Sequence, residues 1–143
     1  MQRNCDDDFQ TRLDARRDFT RACHEVPPSL NDFIDLVACS MLVPPGALRH
    51  FAGRPMDYDK LLSQLTIPVQ VFHGALDAVC PLGEAKRIPQ INPAAEMLVY
   101  NDIGHAPFFE QPPRFNLDLL DFVHHCTELA KPAGPRVASM VAR

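Results

Sequence analysis

The chain has 143 residues, 46% of them hydrophobic, with 14 Lys and Arg against 18 Asp and Glu for a formal charge of −4. That hydrophobic share supports a buried core and excludes wholesale disorder, while the mild acidity argues against a nucleic-acid partner, which requires a basic face. No apolar run is long enough for a transmembrane helix, Met1 to Asp8 is too polar for a secretory signal, and the cysteines at 5, 23, 39, 80 and 126 form no CxxC pair, so a reducing, cytoplasmic setting is expected.

Residues 1–66 read as short helices punctuated by proline. The first runs from the low teens to Ala22 or Cys23, with Phe9, Leu13 and Phe19 as its apolar positions. Asp6, Asp7 and Asp8 near its start complement the helix dipole. Pro27 and Pro28 break the chain, and Ser29 is a natural N-cap for a second helix over Leu30 to Met41. In it, Leu30, Phe33, Ile34, Val37 and Met41 recur at helical spacing and describe one buried face. Pro44 and Pro45 begin a short helix toward Phe51, and Asp57 or Asp59 starts another ending near Leu65.

From Ile67 the period changes. Pro68 to Phe72 reads as a strand leading into His73 and Gly74, a helix follows over Gly83 to Ile91, and Glu96 to Tyr100 is a second strand. The loop Asn101 to Glu110 leads to Pro112 and Pro113, which suit the first turn of a last helix with Phe115, Leu119, Phe122, Val123 and Cys126 on its apolar face. Strand–helix–strand–helix order implies a right-handed parallel βαβ unit in an α/β fold. The tail, 131–143, carries two prolines and a glycine and is expected to fray.

Two loops follow the carboxyl ends of these strands, the edge where open α/β sheets place ligands and catalytic groups. The first contains Asp77 and the second His105. A carboxylate in one loop suits a histidine in the next: it fixes one tautomer of the imidazole and favours the imidazolium formed during proton transfer. Singly, each residue has a plainer explanation, an Asp in a glycine-containing loop being ordinarily a turn former and a His after Gly ordinarily structural. It is their joint placement after consecutive strands that points to chemistry.

At these residues the sequence resembles the α/β-hydrolase family, in its carboxyl-terminal half and its esterase or haloperoxidase-like branch. "IPVQVFHGALDAVCP" is similar to the penultimate core strand and acid-bearing loop, and "AEMLVYNDIGHAPFFEQPPRFNLDLLDFV" to the last strand, histidine loop and terminal helix. The resemblance implies catalytic roles for Asp77 as the acid and His105 as the general base, with residues 67–130 as the second half of a core. "VPPGALRHFAGRPMDYDKLL" is similar to the end of a helical cap, so residues 1–66 are expected to be a cap remnant.

The sequence departs from the family where the nucleophile belongs. In that family a serine sits on a G-x-S-x-G elbow ahead of the acid. The glycines here are 46, 53, 74, 83, 104 and 134, and no two are four apart. His73-Gly74 ends a strand and is not an oxyanion-hole motif. Ser29, Ser40 and Ser63 lie in or at the start of cap helices, without the strained turn that presents a hydroxyl, and Cys80 reads as a small hydrophobe. No nucleophile is therefore assigned. Glu110 is expected to hydrogen-bond within its own loop. His124, His125 and Cys126 point in different directions on a helix and make no metal site, and Phe108 and Phe109 suit core packing as well as a pocket.

With only 76 residues before Asp77, the chain reads as half of a fold carrying two-thirds of a triad, inactive alone. The resemblance implies hydrolysis of an ester or similar carbonyl bond, with no metal or organic cofactor, no membrane, and a small-molecule substrate in the complete enzyme. A homo-oligomer or partner chain is expected to complete the sheet, because two strands leave open edges. An acidic nucleophile would instead make the parent a dehalogenase or epoxide hydrolase. The competing readings are a non-catalytic binding protein reusing the half-fold and a truncated reading frame without function.

Overall fold

The computed structural model describes residues 2–52 and 54–129. The tail at 131–143, expected to fray, lies outside the described residues. A 3-10 turn at Gln2–Cys5 precedes four helices: α1 (Phe9–Ala22), α2 (Leu30–Met41), α3 (Pro45–Ala52) and α4 (Tyr58–Ser63). Then come β1 (Val69–Gly74), α5 (Leu82–Ala85), α6 (Ile88–Ile91), β2 (Ala95–Tyr100), α7 (Pro107–Glu110) and α8 (Pro112–Leu129).

Caps set the helix starts. Asp8 accepts the backbone N–H of Thr11 at 2.7 Å and begins α1 at Phe9, earlier than the apolar spacing implies. Ser29 caps α2 by accepting the Asp32 N–H, and its hydroxyl donates to the Asp32 carboxylate at 2.6 Å, so α2 occupies the expected residues. Asp57 caps α4 in the same way through Lys60 N–H.

The apolar faces are placed differently from the sequence expectation. In α1 the buried residues are Ala15, Arg16 and Thr20, while Phe9 and Phe19 are exposed. α1 packs against both α2 and the 3-10 turn. In α2 only Val37 is buried, and Leu30 and Ile34 face outward.

β1 and β2 pair in parallel, in register from Val69 opposite Ala95 to Gly74 opposite Tyr100. Among the described residues the sheet has these two strands. β1 runs on through His73 and Gly74, because the ladder continues to Tyr100 on its partner. The single helix expected over Gly83–Ile91 is two short ones. Pro89 has no N–H to donate to the carbonyl four residues back and its ring crowds that carbonyl, so the chain restarts at Ile88. Buried Asn92 then ties the crossover to α4, its amide donating to the carbonyls of Leu62 and Leu65 and its oxygen accepting the Ala94 N–H.

α8 lies over the sheet face that carries Gln70, Phe72, Glu96 and Leu98. Phe115 meets Phe72 edge-on at 5.1 Å between ring centres. Its inner stripe is Phe115, Asp118, Phe122 and Cys126, all half-buried, whereas Leu119 and Val123 are exposed. The stripe is shifted toward Asp118 because the fully buried Tyr100 donates its hydroxyl to that carboxylate at 2.6 Å. No helix among the described residues is long and apolar enough to cross a membrane.

Candidate active site

The two loops after β1 and β2 are locked together by their backbones. Ala75 N–H donates to Tyr100 O at 2.8 Å, and Leu76 N–H to Ile103 O at 3.0 Å. This approach requires glycine at 74: a Cβ there would run into the carbonyl oxygens of Gly104 and Ile103. At Gly104 a Cβ would sit 2.8 Å from the backbone nitrogen of Glu25 and 3.2 Å from Cys23 O. Neither glycine has a positive φ, so the demand is for space and not for a special backbone conformation.

The lock brings Asp77 and His105 together. His105 Nδ1 lies 2.8 Å from Asp77 Oδ2. The other carboxylate oxygen, Oδ1, accepts the backbone N–H groups of Val79 and Cys80, each at 2.8 Å. The Asp77 side chain is 2% exposed and that of His105 is 40% exposed. A buried acid thus holds a histidine whose other edge is open. Burial pushes the Asp77 carboxyl up, but the hydrogen bonds from Cys80, His105 and Val79 outweigh it and hold the carboxyl below its ordinary range. Asp77 is therefore ionised at neutral pH, and with that partner Nδ1 of His105 carries the proton and Nε2 is left as a base.

His105 is also tied to the helical segment, its backbone N–H donating to Cys23 O at 2.9 Å. Glu110 reaches further than its own loop. One oxygen accepts Gly104 N–H at 3.0 Å, and the other accepts Glu25 and Val26 N–H, each at 2.8 Å. One carboxylate thereby fastens the histidine loop to the connection between α1 and α2.

A cavity of about 240 Å³ opens beside His105. Phe19, Cys23, Leu36, Phe108 and Phe109 give it apolar walls, with Ser40, Thr20 and His24 among its polar groups. Burial first, then the charges of Asp77 and Glu110, push the Cys23 thiol up, so it is protonated at neutral pH. Ser40 borders the same cavity, but its hydroxyl donates back to Val37 O at 2.7 Å. The Ser29 and Ser63 hydroxyls are engaged with Asp32 and with Lys60 O. Cys80 contributes its backbone N–H to Asp77. His124 and His125 are exposed on α8, and among the described residues no group of three or more His, Cys, Asp or Glu is placed to hold a metal ion.

Sequence reasoning did not place Cys23 at the site or see the long reach of Glu110, because these contacts join segments far apart in the chain, and it weighed Ser40 only as a nucleophile. It read His73 only as the end of a strand. That side chain is buried in β1, with Nε2 3.7 Å from Asp77 Oδ2.

No protein-family model matches the chain. Over 61 residues, 43% of this chain, it is 34% identical to the pimeloyl-acyl-carrier-protein methyl ester esterase of Vibrio vulnificus, covering 24% of that protein. Among solved structures it is similar to a Burkholderia cenocepacia protein assigned as an aryl esterase, with TM-score 0.83 and 34% identity over 88% of this chain and 47% of the other. The esterase RhEst1 of Rhodococcus sp. ECU1013 gives TM-score 0.80 and 25% identity, with coverages of 87% and 46%. The matched segment thus spans about a quarter of the curated relative and a little under half of each solved structure.

Parallel strands with flanking helices and two loops joined at their carboxyl ends define the class: the chain has an α/β-hydrolase fold, and carries part of it. The relatives and neighbours named above that share this part are esterases, and the match covers less than half of each.

Proposed function

We propose that this chain is the carboxyl-terminal portion of an ester hydrolase and supplies its acid–base pair, Asp77 and His105. The observation that carries the reading is the 2.8 Å contact of Nδ1 with a buried, ionised carboxylate while the imidazole borders an apolar cavity. A hydroxyl nucleophile from polypeptide outside the described residues attacks the ester carbonyl. His105 Nε2 takes its proton, Asp77 stabilises the imidazolium, and the same proton passes to the departing alcohol. In the second half-reaction His105 activates water against the acyl intermediate.

The cavity suits an uncharged substrate with a small apolar group, since among the described residues no Lys, Arg, Asp or Glu lines it. In this reading residues 1–66 act as the cap over the site. The remaining strands and the nucleophile come either from a longer form of this chain or from a partner that completes the sheet.

The test is a fusion of this chain to the part of the Burkholderia cenocepacia protein that it does not match, assayed on phenyl acetate. Activity is expected, and His105→Ala should lower kcat by on the order of 10⁴-fold or more. A fused enzyme equally active without His105 overturns the assignment. A folded fusion that binds phenyl acetate but never turns it over would favour a binding protein.

A further inference from the structure

The strand that leads into the acid loop carries, just before its last residue, a histidine that the proposed chemistry does not use. His73 is 8% exposed, and its Nε2 is buried without a hydrogen-bond partner among the described residues. It faces Asp77 Oδ2 at 3.7 Å, the same oxygen that holds His105 Nδ1 at 2.8 Å. A buried imidazole nitrogen left unpaired is costly, and a bare lone pair aimed at a carboxylate adds repulsion. A proton on Nε2 turns that repulsion into attraction, and closing to hydrogen-bond distance needs a movement of only about 0.7 Å.

We propose that His73 is a positioning residue for Asp77: as the Nε2–H tautomer it is a second donor to Oδ2, sharing that oxygen with His105. The proposal rests on the reading of Asp77 and His105 as an acid–base pair. Its consequence is chemical. A carboxylate that also receives His73 has less charge to offer His105, so the imidazolium of His105 is stabilised less and releases its proton more readily. That suits a group which must act as base and then as acid in one cycle.

The surroundings leave Asp77 as the carboxylate His73 answers to. On α7, Glu110 is occupied by the backbone N–H groups of Gly104, Glu25 and Val26. On α5, Glu84 is exposed and paired with Arg87. On β2, His73 lies opposite Val99, and the nearby Tyr100 hydroxyl donates to Asp118 of α8. The Cys23 thiol of the helical segment is neutral and adds no charge.

The experiment is nitrogen-detected imidazole NMR on the full chain. At neutral pH His73 is expected as the Nε2–H tautomer, and the Nδ1–H tautomer overturns the proposal without any substitution. Titration of His105 follows in three forms. His73→Phe removes the donor and should raise the His105 midpoint. His73→Gln keeps an N–H and should return it toward the wild-type value. An unchanged midpoint in a folded His73→Phe chain overturns the proposal. Asp77→Asn separates the two ideas: it should lower the His105 midpoint if the pair exists. If it does not, the pair itself fails. If it does while His73→Phe has no effect, only the role of His73 fails.

Discussion

The helical segment, residues 2–66, and the strand-bearing segment from Ile67 onward solve different problems with similar hydrophobic content. In the second, Tyr100 and Ile103 are fully buried, and backbone hydrogen bonds join the two loops with no room for a side chain between them. In the first, the large side chains of Phe9, Leu30, Ile34, Leu42 and Phe51 stand exposed, and α1, α2 and α4 each start at a side-chain cap. A site that must hold two side chains within hydrogen-bond distance is built where the backbone itself is fixed. The segment that borders the cavity is attached to it by a few polar contacts, chiefly Glu110 and the carbonyl of Cys23.

The sharpest way to break this comparison is one substitution made on each side. Gly74→Ala puts a methyl group into the Gly104 and Ile103 backbone, which cannot yield as a flexible side chain would. A loss of at least about 3 kcal/mol is expected, at the upper end of overpacking effects. Gly46 lies in α3, and a methyl group added there would meet nothing within 4 Å, so Gly46→Ala should instead stabilise by about 0.5–1 kcal/mol. Urea unfolding of both variants checks the pair, and equal effects would remove the distinction between the segments.

Glu110→Ala cuts the fastening between them. Three backbone donors lose a charged acceptor, and a cost of about 2 kcal/mol is expected. Amide exchange tells where the loss falls: Gly104, Glu25 and Val26 should exchange faster while Val71 and Leu98, paired in the strands, stay protected. Uniform loss of protection would mean that the two segments unfold as one.

The two segments were also unequally legible in the sequence. Helix and strand identities followed from Ser29, Asp57, Pro112 and the alternation around Val69–Phe72, because caps and periodicity are local. The Asp77 and His105 loops were legible because each directly follows its strand, and parallel pairing carries both to one edge. Which faces are buried was not legible in the helices: the spacing of Leu30, Phe33, Ile34 and Val37 defines a face but not what covers it. The break at Pro89 was written in the sequence, since a proline inside a helix removes a donor and crowds the preceding turn, but the helix over Gly83 to Ile91 was read through it. Glu110 and His73 were illegible for another reason, since their partners lie in space and not in sequence.

Acid sharpens the comparison within the strand-bearing segment. The folded-state value of Asp77 lies below its ordinary one, so its ionised form stabilises the fold above the ordinary carboxylate range. That contribution disappears as pH falls through the lowered value. Asp77→Asn should therefore cost about 1.5 kcal/mol at pH 7, the scale of hydrogen bonds to a charged group, and progressively less as the solution is acidified. Thermal melts of both forms across the acidic range check the sign. A penalty that stays constant with pH would show that the carboxylate charge contributes nothing.

The smallest effect belongs to the outward faces of the helical segment. Leu30 is 74% exposed and Leu42 80% exposed, so replacing either by Ser removes little buried apolar area. Each change should alter stability by less than about 0.5 kcal/mol, as for surface positions generally. The same substitutions have a second readout in the fused enzyme. If these faces are covered there by the nucleophile-bearing half, Leu30→Ser and Leu42→Ser should weaken the fusion more than the chain alone. Equal small effects in both settings would leave the outward faces of α2 as plain surface, and the contact with the other half would then fall on the strands.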